Sequence, residues 1–368
     1  MSVSKLCEAL NDHGHSVEML TTTANGKYEL PVNPNQTTTV DGVTVTYFKR
    51  ITKDHTHFSP SLFSRLRKKI LHSISEEQHD LIIHIHSWWN LVSIFSCAIA
   101  KWYNIPVLLS PRGMLTHYTT DNRNSGMKAM IHNLMGKQLL KYCDIHATSE
   151  KEKQDVLQLI KPKSITVIPN LVDLPNEAFT VDERDLTFNL IFLSRVEQKK
   201  GLELLFDALV NLPFDWKLSI AGSGEVSYIE HLKEKADMLN LTGRIHWLGH
   251  VNNDDKFQLM AKNDLLVLTS YNENFANVVI ESLSVGTAVL LSDQVGLADY
   301  VQQKELGWIT KLESAEIEFN LKRAYHEKEV RIRIRKHGGQ IIGKNFGAES
   351  LVKRYIDLYH NVIIAHNG

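Results

Sequence analysis

The chain has few cysteines and no long hydrophobic run. Its three cysteines, Cys7, Cys97 and Cys143, are scattered, odd in number and without the spacing of a metal site. We therefore expect a reducing cytoplasm. The best apolar stretch, 91–100, is about half of the ~20 residues that a membrane-spanning helix needs. The first residues also lack the charged start and apolar run of a secretory signal, so we expect a protein that is not integral to a membrane.

The chain also lacks an excess of charge of either sign. Its formal net charge of −1 over 368 residues excludes a generally basic protein that coats nucleic acid. The charge is uneven, because residues 1–175 hold more Lys and Arg than Asp and Glu, whereas the remainder is acidic. A basic first half would suit an anionic membrane or acceptor. The length is too great for one ordinary domain and predicts two.

Short apolar runs alternate with amphipathic stretches throughout, as in βα units around a parallel sheet. We predict strands at 16–21, 43–48, 81–86, 107–110, 145–147, 165–168, 190–194, 217–221, 245–248, 265–269 and 288–292. We predict helices at 201–209, 226–239, 254–261 and 275–285. Two such series predict two doubly wound α/β domains, joined near 170–187 and facing each other across a ligand cleft.

The most informative segment is Y-N-E-N-F-A-N-V-V-I-E-S-L-S-V-G-T-A-V-L-L-S-D, at 271–293. It follows one predicted strand, opens a helix near Asn274 and closes before another strand. The start of that helix would leave the backbone N–H groups of Phe275, Ala276 and Asn277 unpaired. Because the helix dipole is positive at this end, the segment predicts an anion site.

Two glutamates, Glu273 and Glu281, lie on either side of this helix start. Eight residues return a helix to within about 80° of its starting direction, so both glutamates can border one bound molecule. A carboxylate accepts hydrogen bonds from the paired hydroxyls of a ribose or sugar ring. Spacing alone would favour two surface glutamates, but F-A-N-V-V between them favours a binding site.

A basic pair follows the first predicted strand of the second half, in S-R-V-E-Q-K-K-G-L-E-L-L. Arg195 at the strand end and Lys200 just before a helix could neutralise a departing diphosphate. Lys199 is the competing choice, and an ordinary solvated charge cluster is the alternative. The glycine-rich turn I-A-G-S-G-E at 220–225 is not a dinucleotide fingerprint, because Ser227 stands where a third glycine is needed.

Two predicted strands of the first half end in polar residues. H-I-H-S-W-W-N at 84–90 places His84 and His86 on one strand face. A metal is conceivable there, but no third ligand has suitable spacing. His86 is therefore either an acceptor-site residue or a hydrogen-bonded core histidine. The next strand ends in L-S-P-R-G-M-L, where Arg112 and Gly113 form a turn, and this arginine could bind phosphate or stabilise negative charge.

Two amphipathic segments remain. The basic stretch L-F-S-R-L-R-K-K-I at 62–70 could rest on an anionic membrane that carries a lipid-linked acceptor, or form an ordinary solvated helix face. The segment F-G-A-E-S-L-V-K-R-Y-I-D-L-Y-H-N-V-I at 346–363 has one apolar face, as expected for a helix that packs on another part of the chain.

The E-x7-E pattern in its strand–helix–strand setting resembles retaining glycosyltransferase family 4, whose fold is called GT-B. The resemblance covers nearly the whole chain and is strongest over 190–301. It implies that Glu273 contacts the donor sugar, that Glu281 contacts the nucleotide ribose, and that Arg195 and Lys200 hold the diphosphate. It also implies further residues beside the donor. These are Asn274, Phe275, Ala276 and Asn277 at the helix start, with Gly222, Gly249 and Val251 near the base.

The same resemblance implies an acceptor-binding domain at 1–172, a donor domain at 173–345 and a helix at 346–368 that packs back on the first domain. It implies no metal and no cofactor besides the nucleotide sugar. Many relatives carry a histidine where Arg112 stands, and S-P-R-G-M-L is similar to a polysaccharide-building subgroup. Arginine cannot act as a general base, so a basic histidine at this loop is not expected. Relatives also carry a strand and glycine-rich loop before the helix that ends at Gly14, so we expect a late start or a truncated copy.

We therefore expect a GT-B hexosyltransferase that moves a sugar, with retention, from a UDP- or GDP-linked donor to a glycan or lipid-linked glycan. The setting would be the synthesis of a cell-surface polysaccharide, lipopolysaccharide or capsule, in the cytoplasm and at the inner face of the membrane. The acceptor site would include His86, Arg112 and Gly113. The alternatives are a truncated, non-catalytic homologue that binds glycan or nucleotide, and a GT-B epimerase or phosphorylase.

Overall fold

The chain folds into two compact units in a computed structural model that describes residues 2–26, 28–52, 56–77, 80–116, 136–175, 179 and 187–368. The first unit comprises Met1–Leu171 and Ala348–Gly368, and the second comprises Val172–Gly347. The chain therefore leaves the first unit once and returns to it with its last helix.

Helices and strands alternate through most of the described chain. The helices are α1 (Ser2–Asp12), α2 (Pro60–Ser75), α3 (Leu91–Trp102), α4 (Lys137–Tyr142), α5 (Glu150–Leu159), α6 (Leu202–Leu209), α7 (Val226–Met238), α8 (Asn253–Ala261), α9 (Asn277–Ser284), α10 (Ala298–Gln303), α11 (Ser314–His326), α12 (Lys328–Phe346) and α13 (Ala348–Asn367). The strands are β1 (Glu18–Thr22), β2 (Ala24–Asn25), β3 (Tyr28–Glu29), β4 (Thr37–Val40), β5 (Val43–Phe48), β6 (Ile83–His86), β7 (Val107–Ser110), β8 (Asp144–Ala147), β9 (Ser164–Val167), β10 (Phe188–Leu193), β11 (Trp216–Ala221), β12 (Ile245–Gly249), β13 (Leu265–Leu268), β14 (Ala288–Ser292) and β15 (Gly307–Thr310).

The second unit is built on one parallel sheet, in the order β12-β11-β10-β13-β14-β15. Strands β13 and β14 are buried along their whole length, which explains why they read as continuous apolar runs. From β10 the chain adds β11 and β12 on one side and then β13, β14 and β15 on the other. The switch point of this Rossmann-like sheet, where ligands bind in such folds, therefore lies between β10 and β13.

The first unit contains a parallel sheet in the order β6-β7-β8-β9 and a second sheet in the order β1-β5-β4, in which β4 is antiparallel. Helix α13 packs on α1 and β7. It buries Leu351, Val352, Tyr355, Leu358 and Val362 in a cluster with residues of both. The prediction that a C-terminal helix returns to the first domain is confirmed.

Every strand predicted from apolar runs is present, with bounds that differ by no more than two residues. Strand β4 was not predicted, because its four residues are all exposed and show no apolar pattern. The predicted helix 275–285 begins later, at Asn277. Ala276 has a φ of 64°, a left-handed conformation that cannot continue an α-helix, so Phe275 and Ala276 precede the helix instead of opening it.

Candidate functional site

Loops from the carboxyl ends of three neighbouring strands meet at one edge of the second unit's sheet. The N–H of Gly222, after β11, donates to the carbonyl of Gly249 at 2.7 Å. Val196, after β10, forms a bridge with Gly224. Gly222 has a φ of 147°, and a Cβ there would lie 1.8 Å from the carbonyl oxygen of Ser194. Only glycine allows this approach, so the turn at 220–225 holds the end of β10 in place.

Lys200 and Glu273 form an ion pair between the loops that follow β10 and β13. Lys200 ends a 3-10 turn at Gln198–Lys200 and is buried, and its Nζ donates to Oε2 of Glu273. The two loops are also joined through the backbone, because the N–H of Tyr271 donates to the carbonyl of Lys199 at 2.9 Å. Two of the three predicted catalytic residues are therefore in contact at the switch point.

Arg195, the third predicted catalytic residue, stays at the surface. Its side chain is 71% exposed, and its Nη1 lies 2.8 Å from Oε1 of Glu197. Lys199 shares this carboxylate, with its Nζ 3.4 Å from Oε2. The two candidate lysines thus differ sharply, because Lys200 is buried against Glu273 whereas Lys199 is solvated beside Glu197. Within the described chain no hydrogen bond or ion pair joins Arg195 to Lys200 or Glu273.

The backbone of Glu273 is fixed by the loop after β14. Its N–H donates to the carbonyl of Gln294 at 3.3 Å, and its carbonyl accepts from the N–H of Gly296 at 2.8 Å. Asn274 and the buried Phe275 then lead to the left-handed Ala276 and into α9. The helix N–H groups at this end therefore begin with Asn277. Phe275 and Ala276 contribute through the loop that precedes the helix.

Glu281 lies on α9 and pairs with Lys256 on α8. The Nζ of Lys256 is 2.8 Å from Oε1 of Glu281, and each side chain is 11% exposed. The two predicted donor glutamates, Glu273 and Glu281, are thus each bound to a different lysine. Sequence reasoning missed Lys256, because a lysine in the first turns of a helix gives no sign of a partner 25 residues away.

The end of β12 and the loop after it carry the last two predicted donor residues. Gly249 has a φ of 65°, which glycine adopts without strain, and its carbonyl accepts from Gly222. Val251 is half-buried just before α8. The predicted donor residues thus lie on loops after β10, β11, β12 and β13, and on α9.

A chain of hydrogen bonds crosses the parallel sheet of the first unit. Tyr359 of α13 lies with its hydroxyl 2.8 Å from Nδ1 of His84, whose Nε2 is 2.7 Å from Oγ of Ser110. Ser110 Oγ is 2.6 Å from Nδ1 of His146, and His146 Nε2 is 2.8 Å from the carbonyl oxygen of Ile168. A carbonyl only accepts, so in a neutral cluster His146 Nε2 donates to it. It follows that Tyr359 donates to His84, His84 donates to Ser110, and Ser110 donates to His146.

The three histidines of this region are held neutral. Burial and neighbouring charges lower the pKa of His84 well below its usual value, and burial with the Arg112 cation does the same for the pKa of His86. Burial lowers the pKa of His146 to about 3. Both ring nitrogens of His84 are occupied by hydrogen bonds, so this ring has no free nitrogen for a metal.

The predicted acceptor residues His86, Arg112 and Gly113 lie together. Arg112 has a left-handed backbone, and its guanidinium donates to Oδ1 of Asn170 and, at 3.3 Å, to Nδ1 of His86. The N–H of Gly113 donates at 2.7 Å to Oε1 of the buried Glu152, which fixes the turn. Among the described residues no carboxylate forms an ion pair with Arg112, so its charge is available to an anion.

The basic cluster at 62–70 is partly neutralised. Arg65 and Lys69 lie 3.7 and 2.6 Å from the carboxylate of Glu18 on β1. Arg67 donates to the hydroxyl of Tyr103 at 2.7 Å. Over the ranges that the structure describes, each helix is too short or too polar to cross a bilayer. In the same ranges, His, Cys, Asp and Glu residues form no group of three that could hold a metal ion.

Comparison with known proteins accounts for both halves of the chain. Residues 1–175 match the family model described as Glycosyltransferase Family 4, and residues 175–340 match the model described as Glycosyl transferases group 1. The chain is a glycosyltransferase.

Similar proteins that align with most of this chain support the assignment. An uncharacterized glycosyltransferase of Methanocaldococcus jannaschii is 22% identical over 96% of this chain and 92% of its own. The lipopolysaccharide 1,6-galactosyltransferase of Escherichia coli K12 is 26% identical over 81% of this chain and 79% of its own. Anabaena HepE, solved in complex with UDP and glucose, matches with a TM-score of 0.72 at 16% identity, covering 98% of this chain and 96% of its own. The predicted GT-B fold is confirmed.

Proposed function

We propose that this glycosyltransferase moves a hexose from a UDP- or GDP-linked donor to a hydroxyl of a glycan or lipid-linked glycan, with retention at the anomeric carbon. The proposed setting is the assembly of a cell-surface polysaccharide, either lipopolysaccharide or capsule. The similarity to a lipopolysaccharide galactosyltransferase supports the setting, and the fold shared with a protein that binds UDP and glucose supports the donor class.

The Lys200–Glu273 pair at the switch point is the observation that carries the proposal. A buried ammonium beside a carboxylate offers a cation for a leaving phosphate and an acceptor for sugar hydroxyls a few ångströms apart. Arg195, exposed on the same loop, adds a second cation that can close on the diphosphate. We assign Glu281 to the ribose, the loop and helix start at 274–277 to the donor phosphates, and Gly222, Gly249 and Val251 to the base.

On the acceptor side, we propose that His86, Arg112 and Gly113 bind the acceptor without acting as a base. Nδ1 of His86 accepts from Arg112, so in the neutral ring the proton is on Nε2. The lowered pKa of His86 makes its neutral ring a weak proton acceptor, and an arginine cannot take a proton. We therefore propose that the donor's own leaving phosphate assists deprotonation of the attacking hydroxyl, in a front-face reaction that needs no bound metal or cofactor.

We further propose that the protein works in the cytoplasm, at the inner face of the membrane. Of the basic cluster, Lys68 is exposed beside the partnered Arg67, so contact with anionic lipid would be weak and peripheral. No contact with nucleic acid is proposed.

A transfer assay tests the function. Purified protein is incubated with a panel of UDP- and GDP-hexoses and with lipid-linked or lipopolysaccharide-core acceptors, and nuclear magnetic resonance reports the anomeric configuration of the product. We expect transfer or slow donor hydrolysis from one donor, with retention, and at least a 100-fold loss in Glu273→Gln. Nucleotide binding without turnover of any donor would favour the non-catalytic homologue, and an inverted product would contradict the mechanism.

A further inference from the structure

The pair between Lys256 and Glu281 is buried where the proposed donor site lies. Lys256 sits in the first turns of α8, where its N–H donates to the carbonyl of Asn252 at 3.2 Å and its Nζ lies 4.9 Å from the ring centroid of Phe257. Its Nζ donates at 2.8 Å to Oε1 of Glu281. Both groups are therefore held in one geometry by contacts within the second unit.

A buried ion pair contributes little to stability, since taking two charges out of water offsets most of their attraction, and well-packed apolar residues would hold α8 and α9 together as firmly. Lys256 engages only one oxygen of Glu281. Among the described residues no hydrogen bond occupies the other oxygen, Oε2. The pair thus leaves one carboxylate oxygen open while the other is fixed by a cation.

We propose that Lys256 is a positioning residue for the donor, which holds the carboxylate of Glu281 in an orientation in which Oε2 accepts from the vicinal hydroxyls of the ribose. A carboxylate accepts at both oxygens, so the hydrogen bond from Lys256 to Oε1 leaves Oε2 able to accept another. Lys256 therefore acts through Glu281 and requires no contact with the nucleotide. This role rests on the proposed function.

Calorimetric titration of the full-length protein with UDP, with GDP and with their 2′,3′-dideoxy analogues tests the role. For the diphosphate that binds, we expect Lys256→Met to weaken affinity about 10-fold, the value of one charge-assisted hydrogen bond. The dideoxy analogue should bind the wild type more weakly, and Lys256→Met should not weaken it further. Lys256→Arg should restore most of the affinity, and Lys256→Met should cost nothing in a Glu281→Gln background.

Lys235→Met is the matched control. It removes a lysine from an equally short ion pair of the same unit, 2.8 Å from Asp207, and should leave the titration unchanged. If Lys256→Met does not fold, the same titrations can be made with Lys256→Gln.

Three results would overturn the role. The first is unchanged affinity for the diphosphate in Lys256→Met. The second is an equal loss for the diphosphate and its dideoxy analogue, which would mean that Lys256 binds phosphate directly. The third is a wild type that binds neither UDP nor GDP, which would remove the proposed function itself. Binding by the wild type with either of the first two results would leave the proposed function standing.

Discussion

Glu197 binds two cations on the loop after β10. Arg195 and Lys199 both lie within 3.4 Å of its carboxylate, and their side chains are 71% and 38% exposed. Neither pair stabilises the fold much, because exposed ion pairs are worth about 0–1 kcal/mol. Only Arg195, two residues after the end of β10, is proposed to bind the diphosphate. Substituting either residue should therefore leave the stability of the fold nearly unchanged, so that differences in activity can be compared directly.

We expect Arg195→Ala to lower the transfer rate on the order of 100-fold, because it removes the cation that we propose stabilises the charge developing on the leaving phosphate. Its free energy of unfolding should change by less than about 0.5 kcal/mol, as for most exposed sites. Lys199→Ala should change neither quantity. Equal losses of transfer in both variants would mean that the loop acts only through its overall charge.

The sequence indicated which residues are candidates for the donor site, but it did not predict their burial or their ion-pair partners. The family spacing selected Lys200 over Lys199, and the burial of Lys200 against Glu273 distinguishes the two in the structure. Lys256 could not be found, because its partner is set by how α8 packs on α9. Such contacts depend on tertiary packing, which periodicity along one helix does not report.

At the scale of elements, the glycine-rich turn at 220–225 depends on one close backbone approach. A Cβ at Gly222 would overlap the carbonyl oxygen of Ser194, and the φ of 147° is unfavourable to any other residue. We expect Gly222→Ala to lower the free energy of unfolding by at least about 2 kcal/mol and to weaken UDP binding.

Denaturant unfolding with and without UDP measures both effects. Gly243→Ala is the control, because that glycine has no positive φ and an added Cβ would meet no atom within 4 Å. A Gly222→Ala variant as stable as Gly243→Ala would show that the turn is not fixed as described.

The hydrogen-bonded chain between α13 and β8 should make the first unit sensitive to acid. Its histidines are neutral when folded, with the pKa of His146 lowered by burial to about 3, but take up protons near pH 6.5 when unfolded. The unfolded state then binds more protons below pH 6.5, so this stabilisation is complete above about pH 7.5 and falls as the pH drops.

We expect each such histidine to cost about 2 kcal/mol of stability between pH 7.5 and pH 5. His146→Gln should therefore lose less stability over this interval than the wild type, while His13→Gln, at an exposed position, should lose as much as the wild type. Guanidinium denaturation at both pH values measures this. The same loss of stability in all three proteins would contradict the conclusion that the buried histidines are neutral in the folded protein.

Strand bounds were predictable where burial governs the pattern, as in β13 and β14, which are buried along their whole length and are apolar apart from the terminal Ser292. The start of α9 was not, because the left-handed Ala276 carries no sequence signal of the kind that a glycine gives. The exposed edge strand β4 escaped prediction for a related reason, since its threonines face solvent.

At the scale of the whole molecule, the succession of apolar runs predicted two α/β domains, since each βα series needs its own core. The described chain contains those separate cores, one in the second unit and two clusters in the first. The pairing of strands within each sheet was harder to predict from the sequence. The first unit divides into two sheets, and among the described strands β1 pairs with β5 and β6 with β7, with no ladder between β1 and β6. Which strands pair is determined by contacts between residues far apart in sequence, and the order of apolar runs along the chain does not specify these contacts.

The proposed function requires a nucleotide diphosphate to bind at the carboxyl edge of the six-stranded sheet. Hydrogen–deuterium exchange with and without saturating UDP, or GDP if it binds more tightly, tests it most directly, because bound nucleotide slows the opening of the backbone that it contacts. We predict protection of the loops at 194–201, 222–225, 249–251 and 271–277, and no change at 112–113. Protection confined to other segments, or no protection at saturation, would contradict nucleotide binding at this edge of the sheet.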